Sequence, residues 1–313
     1  GLAANYTLSG GTHQLTVNQR PLNATLSRQY DGTTTSAGSD LSSFDALQGG
    51  ETLTLSGSGT SASANVANGI AMSSNGNLAL VDGTGLASNY SLNSTVINIT
   101  ERVLNSSGSK IYDANTDALA ADITLSNLVS GEALNHSGTA TISSANAGSY
   151  TITNLAGITI ADGSGGTASN YTLTGGTHNF TVNPKVVSIQ GNKTYDGNTT
   201  ISSGDITSIT DTVGAETLVI SSGSGTVSSA NAATYASAGI NEGTLTLGNG
   251  TNGGLASNYT LTGHAASSFQ VAQRVLSSSG SRIYDGSTTA SSSDLTLSNL
   301  VGSETLTLSG NGT

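Results

Sequence analysis

The sequence predicts an all-β chain of small β-sandwich domains that follow one another in an extended rod. Three observations lead to this prediction. Short runs alternate polar and apolar residues, clusters of Gly, Asn and Asp separate these runs, and a Tyr-Asp dipeptide returns every 82–89 residues. Alternation is typical of half-buried strands, the clusters supply the positive φ of tight turns, and the period matches the size of one small sandwich.

Two dipeptides mark the period independently. Tyr-Asp occurs at Tyr30-Asp31, Tyr112-Asp113, Tyr195-Asp196 and Tyr284-Asp285. Asn-Tyr occurs at Asn5-Tyr6, Asn89-Tyr90, Asn170-Tyr171 and Asn258-Tyr259. The markers predict the C-terminal part of a preceding repeat (1–18), three complete repeats (19–101, 102–184 and 185–273) and the N-terminal part of a fourth (274–313).

Strand-like alternation is clearest in a segment that the first and fourth repeats share. Glu51-Thr52-Leu53-Thr54-Leu55 and Glu304-Thr305-Leu306-Thr307-Leu308 place Thr and Leu on opposite faces of a predicted strand. A right-handed β-helix is the alternative fold, because it is also rich in Gly, Ser, Thr and Asn. Its coils would repeat about every 20 residues, and no such shorter period is present, so the sandwich is favoured.

The charged residues keep the same register as the dipeptides. Each Tyr of Tyr-Asp has one base two residues before it and another ten residues before it, and these eight bases are all the Lys and Arg of the chain: Arg28, Lys110, Lys193 and Arg282, then Arg20, Arg102, Lys185 and Arg274. An Asp follows ten residues after each Tyr, and a Glu follows 20 or 21 after it. We predict that the nearer base pairs with one of these two acids in its own repeat, and that the farther base lies at the junction between domains.

Composition and charge exclude several classes of function. A net charge of -11 opposes binding to nucleic acid, because nucleic-acid binders neutralise phosphates with clustered Lys and Arg. No apolar run approaches the roughly 20 residues of a membrane-spanning helix, so membrane insertion of this segment is not expected. The absence of Cys removes thiol and disulfide chemistry.

The recurring motifs resemble those of a known family. The (Arg/Lys)-x-Tyr-Asp-Gly motif, the Ser/Thr-rich sequence after it and Gly-Leu-Ala-Ser-Asn-Tyr resemble bacterial YDG-type and related Ig-like (MBG) repeats. The resemblance implies Ig-like sandwiches in very large secreted proteins similar to filamentous haemagglutinins, exported by two-partner secretion and used in adhesion and biofilms. One departure is Ala114, which stands where the motif has Gly. If that position needs a positive φ, the second repeat must either be strained there or form a different turn.

No set of residues predicts an enzyme. The four histidines are expected to be structural, since three of them recur after Asn-Tyr and none has metal-ligand spacing. Asp113, Asn115 and Asp117 resemble the start of a calcium loop, and Asp82 and Asp162 lie in acidic Gly turns that could add ligands. We expect ordinary turns at these positions, with a weak calcium site as the alternative and no other cofactor.

The sequence therefore predicts a mechanical function. The expected role is a stalk segment of a large bacterial cell-surface or secreted adhesin, which projects an adhesive region for attachment or biofilm formation. The alternative is a repeat module that binds glycan or ice through a Thr-rich strand face. Expected partners are neighbouring repeats of the same chain, with self-association or a host or matrix glycan as further partners, and the expected location is extracellular.

Overall fold

The structure is a computed structural model that describes all 313 residues. The fold is all-β, and its nine helices are single 3-10 turns of three residues, none of them long or apolar enough to cross a membrane. The 3-10 turns span Ala3–Asn5, Gly38–Asp40, Ala87–Asn89, Ala120–Asp122, Ala168–Asn170, Ser203–Asp205, Ser237–Gly239, Ala256–Asn258 and Ser292–Asp294.

The strands are numbered in chain order. The first repeat contains β1 (Arg20–Gln29), β2 (Thr35–Ala37), β3 (Leu41–Phe44), β4 (Leu53–Ser56), β5 (Ser58–Ser61), β6 (Ala67–Ser74), β7 (Ala79–Asp82) and β8 (Tyr90–Thr100). The second contains β9 (Arg102–Val103), β10 (Asn105–Ile111), β11 (Asp117–Leu119), β12 (Ile123–Ser126), β13 (Leu134–Ile142), β14 (Gly148–Asn154), β15 (Ile158–Asp162), β16 (Tyr171–Thr172) and β17 (His178–Asn183). The third contains β18 (Lys185–Val186), β19 (Ser188–Thr194), β20 (Thr200–Ser202), β21 (Ile206–Thr210), β22 (Leu218–Ser222), β23 (Ser224–Val227), β24 (Ala233–Ala236), β25 (Ile240–Asn241), β26 (Thr246–Asn249), β27 (Tyr259–Thr260) and β28 (Ser268–Ala272). The fourth contains β29 (Ser277–Gly280), β30 (Ala290–Ser291), β31 (Leu295–Ser298) and β32 (Asn311–Gly312).

The chain divides into two compact units, and the second repeat contributes segments to both. The first unit comprises Gly1–Ser107, Leu119–Ala140 and Leu155–His178. The second comprises Gly108–Ala118, Thr141–Asn154 and Asn179–Thr313.

In the first unit, the first repeat forms a six-stranded sheet and a two-stranded ribbon. The strand order in the sheet is β2-β5-β6-β8-β1-β3, and the ribbon pairs β4 with β7. Strands β1 and β8, which begin and end the repeat, pair in parallel from Arg20 beside Tyr90 to Gln29 beside Thr100. The other pairs in this repeat are antiparallel.

The core of the first repeat lies between the sheet and the ribbon. Leu26 of β1 and Ile97 of β8 point inward from the sheet, and Leu55 of β4 meets them from the ribbon. The alternation after Glu51 correctly predicts β4, because Leu53 and Leu55 are buried while Thr54 between them is exposed. Burial of each such side chain contributes about 1.5–3 kcal/mol to the stability of the fold.

The third repeat, in the second unit, has the same arrangement. Its strand β19 pairs in parallel with its last strand β28 and antiparallel with β21, while β22 and β26 form the ribbon. Ile189 and Phe269 are fully buried in this repeat. The recurrence shows that the sequence period is also a structural period.

The pairing directions rule out the β-helix alternative. A β-helix joins parallel strands from successive coils, which would lie about 20 residues apart. In the first repeat, the parallel partners Leu26 and Ile97 are separated by almost the whole repeat, and the strands between them pair antiparallel.

One predicted strand does not form. Residues Glu304–Leu308 alternate like the segment after Glu51, yet they have no strand structure. In the first repeat that segment pairs with β7, whereas no strand pairs with Glu304–Leu308. A strand needs the hydrogen bonds of a partner, so alternation alone is insufficient here.

Candidate functional site at the repeat junctions

The Tyr-Asp motif builds a tight turn after the first long strand of each repeat. The Asp carboxylate accepts a hydrogen bond from the main-chain N–H two residues later, at 2.9 Å from Thr33 to Asp31 and at 3.1 Å from Asn198 to Asp196. Side chains of this type close turns by imitating the backbone. The residue after the Asp has a positive φ in all four motifs: Gly32 (78°), Ala114 (63°), Gly197 (78°) and Gly286 (81°). The positive φ at Ala114 confirms the predicted strain.

The base two residues before each Tyr closes the same turn. It forms an ion pair with the Asp of its own Tyr-Asp in all four motifs: Arg28 with Asp31, Lys110 with Asp113 at 2.8 Å, Lys193 with Asp196 at 3.0 Å and Arg282 with Asp285 at 2.7 Å. The prediction of a partner in the same repeat is correct. The predicted partner acids, ten or 20–21 residues after the Tyr, are wrong.

The two acids first predicted as partners have other hydrogen bonds. The Asp ten residues after the Tyr accepts the N–H that opens a 3-10 turn, as at Asp205 from Ser202 (2.8 Å) and Asp294 from Ser291 (2.9 Å). The Tyr-Asp turn bends the chain back, and this brings the Asp three residues after the base closer to that base than any later acid. Burial raises the pKa of Asp113, but hydrogen bonds from Lys110 and Asn115 outweigh this effect and hold its pKa below the usual range.

The Tyr of Tyr-Asp binds the next repeat through its hydroxyl. Tyr30 donates to Glu132 Oε1 at 2.6 Å, and both residues lie in the first unit. Tyr112 donates to Glu216 Oε1 at 2.7 Å in the second unit, where Tyr195 likewise donates to Glu304. The Glu that follows 20–21 residues after a Tyr-Asp thus serves the Tyr-Asp of the preceding repeat.

A second tyrosine binds the glutamate in two of these three arrangements. Tyr171 of Asn-Tyr donates to the other oxygen of Glu132 at 2.6 Å, and its ring meets Tyr30 edge to face at 5.4 Å. Tyr259 donates to Glu216 Oε2 at 2.6 Å and meets Tyr112 at 5.3 Å. We call each set of two tyrosines around one glutamate a Tyr-Glu-Tyr cluster.

The tyrosines of the clusters are buried, and their pKa values are raised. Tyr30, Tyr112, Tyr171 and Tyr259 are each at most 5% exposed. Burial, followed by the hydrogen bond to the glutamate, raises the pKa of Tyr112, Tyr171 and Tyr259 to about 12. The tyrosines therefore stay neutral donors well above neutral pH, as a shared carboxylate acceptor requires.

The Asn of Asn-Tyr makes a second bridge to the preceding repeat. Asn170 accepts the N–H of Val66 at 2.9 Å and donates to Asn65 at 3.0 Å, all in the first unit. In the second unit, Asn258 accepts the N–H of Ala147 at 2.8 Å and donates to Asn146 at 3.1 Å. Both Asn-Tyr asparagines are almost fully buried, so these bonds form away from water and are costly to lose.

The bases ten residues before Tyr reach the junction in two repeats. Arg102 donates to Asn127 Oδ1 at 2.8 Å and to the carbonyl of Tyr30 at 3.4 Å. Arg274 donates to Asn299 Oδ1 at 2.7 Å and to the carbonyl of Tyr195 at 3.4 Å. The predicted junction position is confirmed for Arg102 and Arg274.

Comparison with known proteins agrees with this geometry. A family model described as YDG domain matches residues 12–97 and 100–179, together more than half of the chain. The chain belongs to the YDG domain family. No curated protein and no solved structure matches it.

The calcium candidates of the YDG repeats are used in turns. Asp113 binds Lys110 and Asn115, and Asn115 accepts the N–H of Asp117 at 2.9 Å. Asp82 and Asp162 each accept, at 2.7 Å, the first N–H of the 3-10 turn before Asn-Tyr. The third repeat has Asn249 in this place, and it accepts the equivalent N–H of Ala256 at 2.8 Å. The neutral amide of Asn249 thus accepts the same hydrogen bond as the carboxylates of Asp82 and Asp162. Turn formation therefore explains the acidic residues at these two positions.

Two histidines of the YDG repeats form hydrogen bonds within the second repeat. His178 is buried between Ser106 Oγ (2.9 Å) and the Leu173 carbonyl (2.8 Å), and His136 contacts two main-chain carbonyls. No three His, Cys, Asp or Glu side chains are grouped so that they could hold a metal ion. The Tyr-Glu-Tyr clusters are the recurring polar sites of the chain, and sequence analysis assigned their glutamates to the wrong partners.

Proposed function

We propose that this chain is a non-enzymatic stalk segment of a large bacterial surface or secreted adhesin, of the filamentous-haemagglutinin-like type exported by two-partner secretion. Its task would be to carry tension between the cell and an adhesive region elsewhere in the protein. The resemblance of the repeat motifs to tandem adhesin repeats supports an extracellular location.

The observation that carries the proposal is the parallel pairing of β1 with β8. The chain enters the first repeat at one end of this ladder and leaves at the other, because Arg20 lies beside Tyr90 and Gln29 beside Thr100. Tension between the two ends therefore loads all the ladder hydrogen bonds together. If the strands were antiparallel, the same tension would open the bonds one after another. Strands β19 and β28 give the third repeat the same geometry.

The junctions support the proposal independently. In each Tyr-Glu-Tyr cluster, a half-buried carboxylate accepts hydrogen bonds from two buried tyrosines of different repeats, and charged acceptors form stronger bonds than neutral ones. Since the same cluster recurs, adjacent repeats are joined by a buried contact as well as by the chain. A spacer needs such contacts to limit bending.

The Thr-rich faces are better explained by structure than by ligand binding. Thr217 and Thr251 pair their hydroxyls at 2.8 Å across the ribbon, and Ser137 and Thr159 pair theirs at 2.9 Å across β13 and β15. Hydroxyls paired across strands stabilise a sheet. Specific glycan binding or inhibition of ice recrystallisation by this chain would overturn this interpretation.

Single-molecule force measurements test the mechanical proposal. The chain lacks Cys, so attachment points are set by introduced cysteines. Attachment through Q19C and E101C pulls the first repeat along the β1–β8 ladder in shear, whereas attachment through Q19C and S88C peels the same ladder from one end. We expect a clearly higher rupture force in the first geometry.

Equal rupture forces in the two geometries would contradict the stalk function. Small-angle scattering adds a second test, because strands of about 7 residues at 3.3 Å per residue, plus turns, give roughly 30–40 Å per repeat and predict an extended chain on the order of 120 Å long. A compact particle would also count against the proposal.

A further inference from the structure

The parallel ladder between first and last strands differs between the first and third repeats. In the first repeat, β8 pairs with all ten residues of β1, and a single register shift leaves Asn93 without a partner in β1. In the third repeat, the ladder is in two pieces. Strand β18 pairs with β27 at its start, and β19 pairs with β28 from Gln190 to Thr194.

The last strand of the third repeat leaves the ladder between these two pieces. Residues 261–267 separate β27 from β28, whereas a single residue separates β18 from β19. Serine hydroxyls close the gap: the N–H of Ile189 donates to Ser267 Oγ at 2.9 Å, and the N–H of Ala266 donates to Ser188 Oγ at 3.3 Å. Side chains thus replace part of the backbone ladder here.

The loop of residues 261–267 is longer than the gap that it crosses. Thr260 pairs with Val186 and Ser268 with Gln190, so the first strand advances four residues while the last strand advances eight. Four residues of strand cover about 13 Å, whereas eight residues of extended chain reach about 27 Å. A loop with this slack transmits no tension until it has been pulled straight.

The slack loop changes how the third repeat is loaded. Tension that leaves the repeat at Ala272 acts on β28 first, and β27 carries no share of it while the loop is slack. The five residue pairs of β19 with β28 therefore bear the load. In the first repeat, the ten residues of β1 and their partners in β8 bear it together.

The sheet beside the ladder is also divided in the third repeat. In the first repeat, β6 pairs with both β5 and β8, so six strands form one sheet. In the third repeat, the 3-10 turn Ser237–Gly239 separates β24, which pairs with β28, from β25, which pairs with β23. Strand β28 therefore belongs to a four-stranded sheet, and β20, β23 and β25 form a separate one.

We propose that the third repeat is a force-limiting element of the stalk, which opens at a lower tension than the first repeat. Opening begins where β28 pairs with β19. Unfolding of residues 185–272 then releases about 300 Å of extended chain, and the tension on the first repeat falls. The inference rests on the proposed mechanical function, because it requires that tension acts between the two ends of each repeat.

Force measurements on the intact chain compare the two repeats directly. Attachment through P184C and Q273C loads the third repeat at the positions that correspond to Q19C and E101C in the first, and both native residues are exposed. Because a ladder with fewer pairs loaded together shears more easily, we expect the third repeat to rupture at a force roughly 1.5- to 2-fold lower than the first.

Shortening the loop tests the cause of this difference. Deletion of residues 263–265 leaves one extra residue between the two pieces of the ladder, as at Asn93 in the first repeat. We expect the deletion to raise the rupture force of the third repeat towards that of the first. The deletion also removes the contact between His264 Nε2 and Glu242 Oε1 at 3.2 Å. E242A is therefore the matched control, and it should leave the rupture force unchanged.

The reciprocal change keeps the proposal testable if the deletion variant does not fold. Insertion of Gly-His-Ala between Leu92 and Asn93 interrupts the continuous ladder of the first repeat and should lower its rupture force. The same insertion after Gly49, where a Cβ meets nothing within 4 Å, is the matched control and should have no such effect.

Three results would overturn the proposal. One is a third repeat that ruptures at the same force as the first repeat or at a higher one. Another is a deletion variant that keeps the parent's circular dichroism and rupture force. The third is an insertion in the β1–β8 ladder that leaves the force of the first repeat unchanged. Each of these results leaves the stalk function intact as long as the first repeat resists shear better than peeling.

Discussion

Ala114 adopts a backbone conformation that the other Tyr-Asp motifs leave to glycine. Its φ is 63°, in the left-handed region where a Cβ costs roughly 1–2 kcal/mol. We expect A114G to raise the free energy of unfolding by about 1 kcal/mol, measured by urea denaturation with circular dichroism.

Two glycines provide the matched substitutions for this prediction. At Gly286 a Cβ meets nothing within 4 Å, so G286A should cost only the backbone strain. At Gly197 a Cβ would lie 3.0 Å from Val301 Cγ1, so G197A should cost more. An A114G variant that is less stable than the parent would show that the turn does not need glycine.

Lys193 is a buried cation whose bonds hold the turn of the third repeat. Its ammonium binds Asp196 at 3.0 Å and the carbonyls of Asn198 and Thr200 at 2.8 Å. We expect K193M to destabilise the protein by about 2 kcal/mol, because these acceptors lose their donor. The loss should stay below that of a fully buried pair, since the Asp196 side chain is 41% exposed.

K193R is the control for this prediction, measured by the same denaturation. Arginine occupies the equivalent position in the first and fourth repeats and binds its Asp there, so K193R should change stability by less than about 0.5 kcal/mol. Equal losses in K193M and K193R would mean that side-chain shape matters here and charge does not.

At the scale of elements, the sequence predicts strands more reliably than it predicts partners. Alternation after Glu51 correctly marks β4, which pairs with β7, while the same alternation after Glu304 has no paired strand and forms no strand. The period places one Glu at a fixed distance from each Tyr-Asp. It cannot say which repeat that Glu serves, and Tyr30 binds Glu132, 102 residues away. Periodic spacing reports positions within a repeat, whereas contacts across a junction depend on how repeats meet.

A 3-10 turn ends at the Asn of each Asn-Tyr dipeptide. The contacts of this asparagine depend on whether another repeat packs against it. Asn170 is 1% exposed and bridges to Val66 and Asn65, while Asn89 in the same motif is exposed. We expect N170A to cost about 2 kcal/mol, since it leaves the half-buried N–H of Val66 without an acceptor. N89A should cost less than about 0.5 kcal/mol in the same denaturation experiment. Similar losses of stability in both variants would mean that the asparagine stabilises the 3-10 turn itself and not the contact with the preceding repeat.

At the scale of the whole molecule, the Tyr-Glu-Tyr clusters make stability sensitive to alkali. The pKa values of Tyr112, Tyr171 and Tyr259 are raised from 10.0 to about 12 in the folded chain. A raised pKa favours the folded state below pH 10, and this contribution is lost as the pH rises through about 12. We expect unfolding in this window, with late-ionising tyrosines visible by tyrosinate absorbance in a chain that has no Trp.

The Y171F variant distinguishes the contribution of the clusters from general alkaline unfolding. Y171F should remove one late-ionising group and should lower stability at neutral pH by the loss of a hydrogen bond to a carboxylate, about 1.5–3 kcal/mol. Ionisation of all ten tyrosines in a single step near pH 10, with the fold still intact, would be incompatible with buried clusters.

Each Tyr-Glu-Tyr cluster takes its first tyrosine from one repeat and its glutamate and second tyrosine from the next. Any repeat can therefore follow any other, because every repeat offers the same donor and the same acceptor. Recombination that deletes or duplicates a whole number of repeats in the gene leaves every junction complete. Recombination that deletes or adds only part of a repeat would leave one tyrosine without its carboxylate. We therefore expect natural variation in the length of such arrays to occur in whole repeats.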